Sequence, residues 1–276
     1  MKREGFKDIG IDDLAFTVPA NWDAMSLGQL RFLAQLLQTR RTSFEVCTMM
    51  LMHGIGGMIV SMPVMDHGTV VKLRGRRFAL TVNQVSQLAE TYSFLFDDLY
   101  APDPNITPAL TVNPFPEVRR GSLVLRGPSD GMLEISFGSY MWLQTYMSGV
   151  RTDPDNMNAA LACLWKHDTG SCEPSEVDID VISRLPAWQR MVMFWFVSGC
   201  LSRMQRLFPR VFSGGGGTGG NVLDQQLRLL DSLAQGDMTK KNLVRQGKLV
   251  DALYVIDESL RKMEEREREM AKRKTT

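Results

Sequence analysis

The sequence predicts a mainly α fold with two small β-hairpins, an α+β protein built from a helical body and a C-terminal helical module. Three observations lead there. Apolar residues recur at helical spacing through most of the chain, S/T-x-x-Q patterns open two of those runs, and only two short stretches alternate as strands do. Composition agrees: with 44% hydrophobic and 23% charged residues, the chain as a whole falls outside the disordered and low-complexity classes. Its 276 residues are enough to bury a core without disulfide or metal staples. A formal charge of +1, from 32 Lys+Arg against 31 Asp+Glu, supplies no global field that would select nucleic acid or an anionic membrane.

In chain order, residues 1–20 read as a partly extended lead-in ending at Pro19. The opening MKREGFKDIGIDDLAF has no apolar run of the roughly 7–15 residues a secretory signal needs, so none is expected. Ser26-Leu27-Gly28-Gln29 has the form of a capping box, and Leu30, Leu33, Ala34 and Leu37 follow at helical spacing, which predicts a helix over 26–39. A second helix starts at Ser43 and stops at His53-Gly54, where HGIGG lets the backbone end it. TVVKLRGRRFAL, residues 69–80, reads as a hairpin about Gly75. Thr81 with Gln84 caps a third helix to about Phe96.

From Ala101 to Pro116 five prolines forbid a helix and mark an irregular connection or a domain boundary, extending to about residue 118. LVLRGPSDGMLEI reads as a second hairpin with its turn at Gly127–Gly131. Helices are then expected over Gly138–Met147, from Asp153-Pro154 to Trp165, and over Pro186–Phe208. The last contains MVMFWFVSGCL, an apolar run of about 11 residues against the roughly 20 a bilayer demands, so it reads as a buried helix. The domain reading is a body over 1–212, a glycine-rich linker over 213–221, and a helical module over 222–276 with a charged tail.

Motifs for chemistry are sparse. GGGGTGG carries the letters of a dinucleotide fingerprint at Gly214, Gly216 and Gly219, but it follows a helix rather than a strand and reads as a linker. Cys163, His167 and Cys172 could bring three zinc ligands together, with Glu173 or Glu176 as a fourth; buried cysteines beside a helix-end histidine are the alternative. Asp97-Asp98 and Asp178 with Asp180 could serve acid–base or Mg²⁺ work, or could cap helices and turns. His53 and His67 flank an apolar loop without a nucleophile motif beside them. Cys47, Cys163, Cys172 and Cys200 are widely spaced and read as reduced thiols. Lys72, Arg74, Arg76 and Arg77 make the first hairpin basic, either to meet phosphates or as a solvated face that discourages edge pairing. These readings predict no enzyme, no cofactor and no resident metal; a metal-dependent or hydrolytic enzyme built on those cysteines, His167 or the aspartates is the alternative from another class.

The C-terminus is the most informative stretch. Leu249, Leu253, Ile256, Leu260 and Met263 follow a 4-3-4-3 spacing, continued by Glu267 and Met270, which makes a coiled-coil-like stripe of about two heptads. Asp257–Arg261, Glu258–Lys262, Glu264–Arg268 and Glu269–Arg273 form acid-first i,i+4 pairs that support an exposed helix. A second stripe, Leu223, Leu227, Leu230 and Leu233, lies upstream. The two stripes either pack on the chain's own body or bind a partner. The partner-binding candidates are Leu223, Leu227, Leu230, Leu249, Leu253, Ile256, Leu260 and Met263.

Three segments carry a family resemblance. Gly236, Asp237, Thr239 and Lys240 form G-D-x-T-K ahead of Ala252, Leu253, Ile256 and Asp257. Pro19-Ala20-Asn21-Trp22-Asp23 precedes the leucine-rich helix, and Phe137-Gly138-Ser139-Tyr140 is followed by Tyr146. Together these resemble proteins encoded in the tail-gene regions of tailed phages and prophages, tail-assembly chaperones among them. The chain departs from that pattern at Ser139, where the group has an acid, and at Val250-Asp251, where it has a tryptophan. The resemblance implies a non-enzymatic, chaperone-like protein-binding role in the host cytoplasm, with a long helical tape-measure protein as partner and homo-oligomers open to it. No nucleic acid and no membrane enter that reading. A structural component of the virion tail or connector is the alternative it also allows. The 18 methionines suit contact with many similar apolar stripes, because Met repacks easily.

Overall fold

A computed structural model describes residues 6–11, 14–61, 69–100, 105–213 and 222–275. It is mainly helical, with small antiparallel sheets, as the spacing of apolar residues predicts. The chain divides into two compact units, Met1–Thr111 and Val112–Thr276, and the division falls within the proline-rich connection. The glycine-rich joint lies outside the described residues, apart from Ser213 at the end of a short helix.

In the first unit the lead-in is itself a hairpin, β1 (Phe6–Ile11) paired with β2 (Leu14–Pro19). Helix α1 spans Leu27–Leu36 behind a capping box: Gln29 N donates to Ser26 Oγ at 3.3 Å and Ser26 N to Gln29 Oε1 at 2.9 Å. Helix α2 (Ser43–Ile55) buries Val46, Cys47, Met50 and Leu51 and ends at Gly56 in the left-handed conformation that glycine adopts without strain. The expected hairpin is present as β4 (Thr69–Leu73) and β5 (Arg76–Leu80), and β3 (Gly57–Ser61) adds a third strand beside β4. Helix α3 (Val82–Ala89) begins at the Thr81–Gln84 capping box, then tightens into a 3₁₀ helix over Glu90–Leu95 rather than running on as α. The tightening packs Tyr92 and Leu95 into the core, where Tyr92 O accepts the Cys47 thiol at 3.4 Å. Asp23 closes the unit, accepting from Thr111 N at 2.6 Å and Thr111 Oγ1 at 2.7 Å.

The second unit corrects the second hairpin. Its strands are β6 (Glu117–Arg120) and β7 (Leu123–Arg126), so the turn lies at Gly121-Ser122 and not at Gly127–Gly131. Gly127–Asp130 is held instead by Asn113, whose Nδ2 donates to Pro128 O at 2.7 Å and whose N–H reaches Asp130 Oδ1 at 2.8 Å. Met132 then enters the core instead of pairing in a strand. Helix α4 (Phe137–Gly149) follows, and α5 is shorter than expected, Asn156–Ala162. Helix α6 covers Glu176–Ser183. Helix α7 (Ala187–Leu207) is the buried helix its apolar run announces, with Val192, Met193, Phe196, Val197 and Cys200 fully covered. Each large aliphatic or aromatic side chain buried this way contributes about 1.5–3 kcal/mol relative to exposure. Helices α8 (Pro209–Ser213), α9 (Val222–Leu233), α10 (Lys241–Gln246) and α11 (Leu249–Thr275) complete the unit. The α10–α11 joint is pinned to the start of α4: Phe137 N donates to Gly247 O and Leu249 N to Ile135 O, both at 2.8 Å.

Candidate functional site

The G-D-x-T-K segment is a helix-entry device. Asp237 accepts from Thr239 N at 2.9 Å and Thr239 Oγ1 at 2.6 Å, and these hydrogen bonds hold its carboxyl below the usual range. The turn it makes feeds α10, so that α11 starts against α4.

The leucine stripes then divide. Leu230, Leu249 and Leu253 are buried within the second unit, Ile256 and Leu260 are half-buried, and Leu227 and Met263 are exposed. The side chain of Leu223 lies outside the described residues. Leu227 borders a cleft of about 410 Å³ shared with Trp142 and Thr145 of α4, Cys172, and Arg245 of α10. On the flank of α11 the expected pairs Asp257–Arg261 and Glu264–Arg268 are replaced. Both acids turn to Arg210 of α8, at 3.3 Å and 3.4 Å. Arg261 takes Glu258 and Glu265 instead, at 2.9 Å and 2.6 Å. A cation from another helix outcompetes the local one because Asp257 and Glu264 lie one heptad apart, on one flank of α11.

The zinc candidates do not converge. Helix α5 stops at Ala162, so Cys163 and His167 do not share a helical face. The Cys163 thiol is buried, donates to Ala159 O at 3.3 Å and is pushed up to about 12 by burial. His167 Nδ1 lies 2.8 Å from Asp178 Oδ1, and the Cys172 thiol lies 3.5 Å from Ser136 Oγ. Among the described residues no three His, Cys, Asp or Glu side chains form a group able to hold a metal ion. The acidic candidates are taken up by structural partners, as turn and first-turn acceptors or in an ion pair. Asp178 accepts from Ser175 Oγ at 2.8 Å and from His167 N, Asp180 pairs with Arg184 at 2.7 Å, Asp97 takes Asn105 Nδ2, and Asp98 takes Tyr100 N. His53 stacks on Phe32 with centroids 4.2 Å apart, and His67 lies outside the described residues.

The residue that sequence reasoning missed is Lys166. It is buried, and its Nζ donates to Ser139 Oγ at 3.0 Å, Ser171 O at 2.6 Å and Cys172 O at 2.9 Å. Burial lowers its pKa, but three acceptors use all three ammonium donors. The group is therefore an anchor that ties the 167–172 loop to α4, and no lone pair is left for Ser139 to hand a proton to. Its only signal in the sequence is a lysine set directly against the end of the apolar run Leu161–Trp165.

In the first unit the basic hairpin is built on a two-residue turn, Arg74 at φ 46° and Gly75 at φ 83°. Arg74 lies over the Phe16 ring at 4.9 Å and Arg76 over Phe78 at 5.0 Å, while Lys72 and Arg77 face each other across the strands. Among the described residues no helix is long and apolar enough to cross a membrane. Comparison of the chain with protein families, with curated proteins and with solved structures finds no match.

Proposed function

We propose that this chain is a non-enzymatic assembly protein of a phage tail system, acting chaperone-like on a long helical partner such as a tape-measure protein. One observation carries the reading: the apolar stripe of α11 outruns its own cover. Leu249 and Leu253 are buried, yet Met263 and Met270, on the same stripe, are 56% and 59% exposed. A helix that docks its first turns and extends a methionine-bearing continuation suits a partner presenting apolar helical stripes. The resemblance of the G-D-x-T-K segment and of the Trp22 and Phe137 segments to tail-region proteins supports the same reading. On this reading the protein works in the host cytoplasm during assembly, and no side chain has a catalytic role.

The test is affinity capture from producing cells with the full-length chain and with a Met263→Glu/Met270→Glu variant. A very long helical chain should co-purify with the first and be lost with the second. Truncation after Ser213 is a poorer probe, because it also strips Leu230, Leu249 and Leu253 from the core of the second unit. Recovery of tail-tube or capsid proteins instead, with the chain itself present in purified particles, would replace this reading with a structural role.

A further inference from the structure

We propose that the solvent face of the β3–β4–β5 sheet is a docking surface for an acidic amphipathic helix of a protein partner. The inference concerns the first unit and stands apart from the reading of the C-terminal helices. Strand alternation sends Val71, Leu73, Phe78 and Leu80 into the core, all of them buried. The opposite face carries Met58, Val60, Val70, Lys72, Arg77 and Ala79. Met58, Lys72 and Arg77 stand opposite one another in a single row across the three strands. Beside that row lie Val70 and Ala79, also paired, and Val60 in the irregular register of β3. Met58 and Val60 are 58% and 42% exposed.

Two features separate this face from an ordinary solvated one. First, the turn at Arg74-Gly75 makes Leu73 and Arg76 the closing pair. Lys72 and Arg77 then occupy the next, non-hydrogen-bonded pair, where opposing side chains stand closest. Like charges at that position oppose folding. Arg74 and Arg76 rest on aromatic rings of their own unit, whereas neither Lys72 nor Arg77 has an ion-pair partner among the described residues. Second, the unmatched cations adjoin exposed aliphatic side chains, so a complementary surface must bring carboxylates and apolar groups together. A helix does this on one face, with acids at i and i+4 and aliphatics at i+3 and i+7. Nucleic acid matches only half of the surface, because among the described residues the face has no aromatic side chain on which a base could stack.

The test uses the full chain and a labelled helical peptide with Glu at i and i+4 and Leu at i+3 and i+7. Its Glu→Lys counterpart and single-stranded and duplex oligonucleotides serve as competitors. The Glu peptide should bind, Lys72→Glu and Arg77→Glu should each weaken it about tenfold, and added salt should weaken it further. Met58→Ser should weaken it severalfold, and hydrogen-exchange protection on binding should fall within 57–61 and 69–80. Arg77→Glu removes the opposed cation, so its Tm should hold or rise, which separates lost binding from lost folding. Failure of the Glu peptide to bind overturns the proposal. So do equal binding of both peptides, tighter binding of an oligonucleotide, and protection confined to other elements.

Discussion

Hairpin β4–β5 carries Lys72, Arg74, Arg76 and Arg77, and hairpin β6–β7 carries Arg119, Arg120 and Arg126. In the second hairpin, arginines meet acids of their own unit: Arg119 pairs with Glu117 at 2.8 Å, and Arg120 reaches Asp180 at 3.9 Å. Arg126 exchanges main-chain hydrogen bonds with Lys166, at 2.8 Å and 3.1 Å, so β7 is pinned from outside the hairpin as well. In the first hairpin, two cations lie over rings and two stand opposed, with no carboxylate paired to either among the described residues. Basic residues on a hairpin therefore do not by themselves mark an interface. What marks one is the subset of cations that the protein's own unit leaves unanswered.

The comparison can be broken hardest at the anchor of the second hairpin. Trp165 is fully buried, donates its indole N–H to Phe115 O at 2.7 Å, and meets Phe196 edge-on with centroids 6.1 Å apart. Trp165→Ala should cost about 3–5 kcal/mol in urea unfolding. Amides of β6–β7 should lose hydrogen-exchange protection while those of β4–β5 keep theirs. Equal loss in both hairpins would mean that the two do not owe their stability to separate supports.

Alkali should strike both units, and one buried thiol in each contributes beside the buried phenols of Tyr92 and Tyr140, whose pKa burial also raises. Cys47 in the first and Cys163 in the second are pushed up to about 12 by burial, from a usual 9.0. Their native-state pKa is raised, so the unfolded chain loses these protons first. The stabilisation is fully present below about pH 9 and is lost as pH rises through about 12, by about 1.4 kcal/mol per pH unit per thiol. Urea midpoints measured from about pH 8 to 11 should fall accordingly, and Cys47→Ala with Cys163→Ala should flatten the slope. A fall of undiminished slope in that double variant would assign alkaline unfolding to other groups.

Two smaller effects sharpen the contrast directly. Arg77→Glu should stabilise the chain by about 0.2–1 kcal/mol, since it turns a like-charge cross-strand pair with Lys72 into an attractive one. Destabilisation by that substitution would show that the opposed cations are not in conflict. Arg119→Ala should cost less than about 1 kcal/mol, because the Glu117 pair is exposed and screened. A larger loss, read in the same urea titration, would mean that the second hairpin depends on its ion pairs rather than on Trp165 and Lys166.

Much of the helical skeleton was legible because its signals are local. Ser26 with Gln29 and Thr81 with Gln84 act within one turn, and the run Met191–Leu201 is apolar whatever surrounds it. The misread hairpin shows the limit. Leu123–Arg126 is recognisable as a strand, but the Gly-Pro-Ser-Asp-Gly sequence after it has every mark of a turn and points to a partner downstream. The competing element, Glu117–Arg120, follows Pro116 and alternates too weakly to stand out. The site was less legible than the fold. The leucine stripe of α11 could be counted, whereas the point at which its cover ends depends on α4 and α8, and Arg210 is 47 residues from Asp257.

By itself the sequence determined where helices begin, which runs must be buried, and that no short-spaced ligand set or nucleophile motif is present, because capping, periodicity and ligand spacing are properties of a few neighbouring residues. Only the tertiary structure decided which groups answer one another. It gave the Lys166 ammonium a third acceptor, Ser139 Oγ on α4, beside two from the loop that follows it, drew Asp257 and Glu264 to Arg210, separated Cys163 from His167, and set Lys72 against Arg77 with Met58 beside them. The physical reason is that burial and charge compensation are settled by neighbours in space, and strand register and helix packing choose those neighbours.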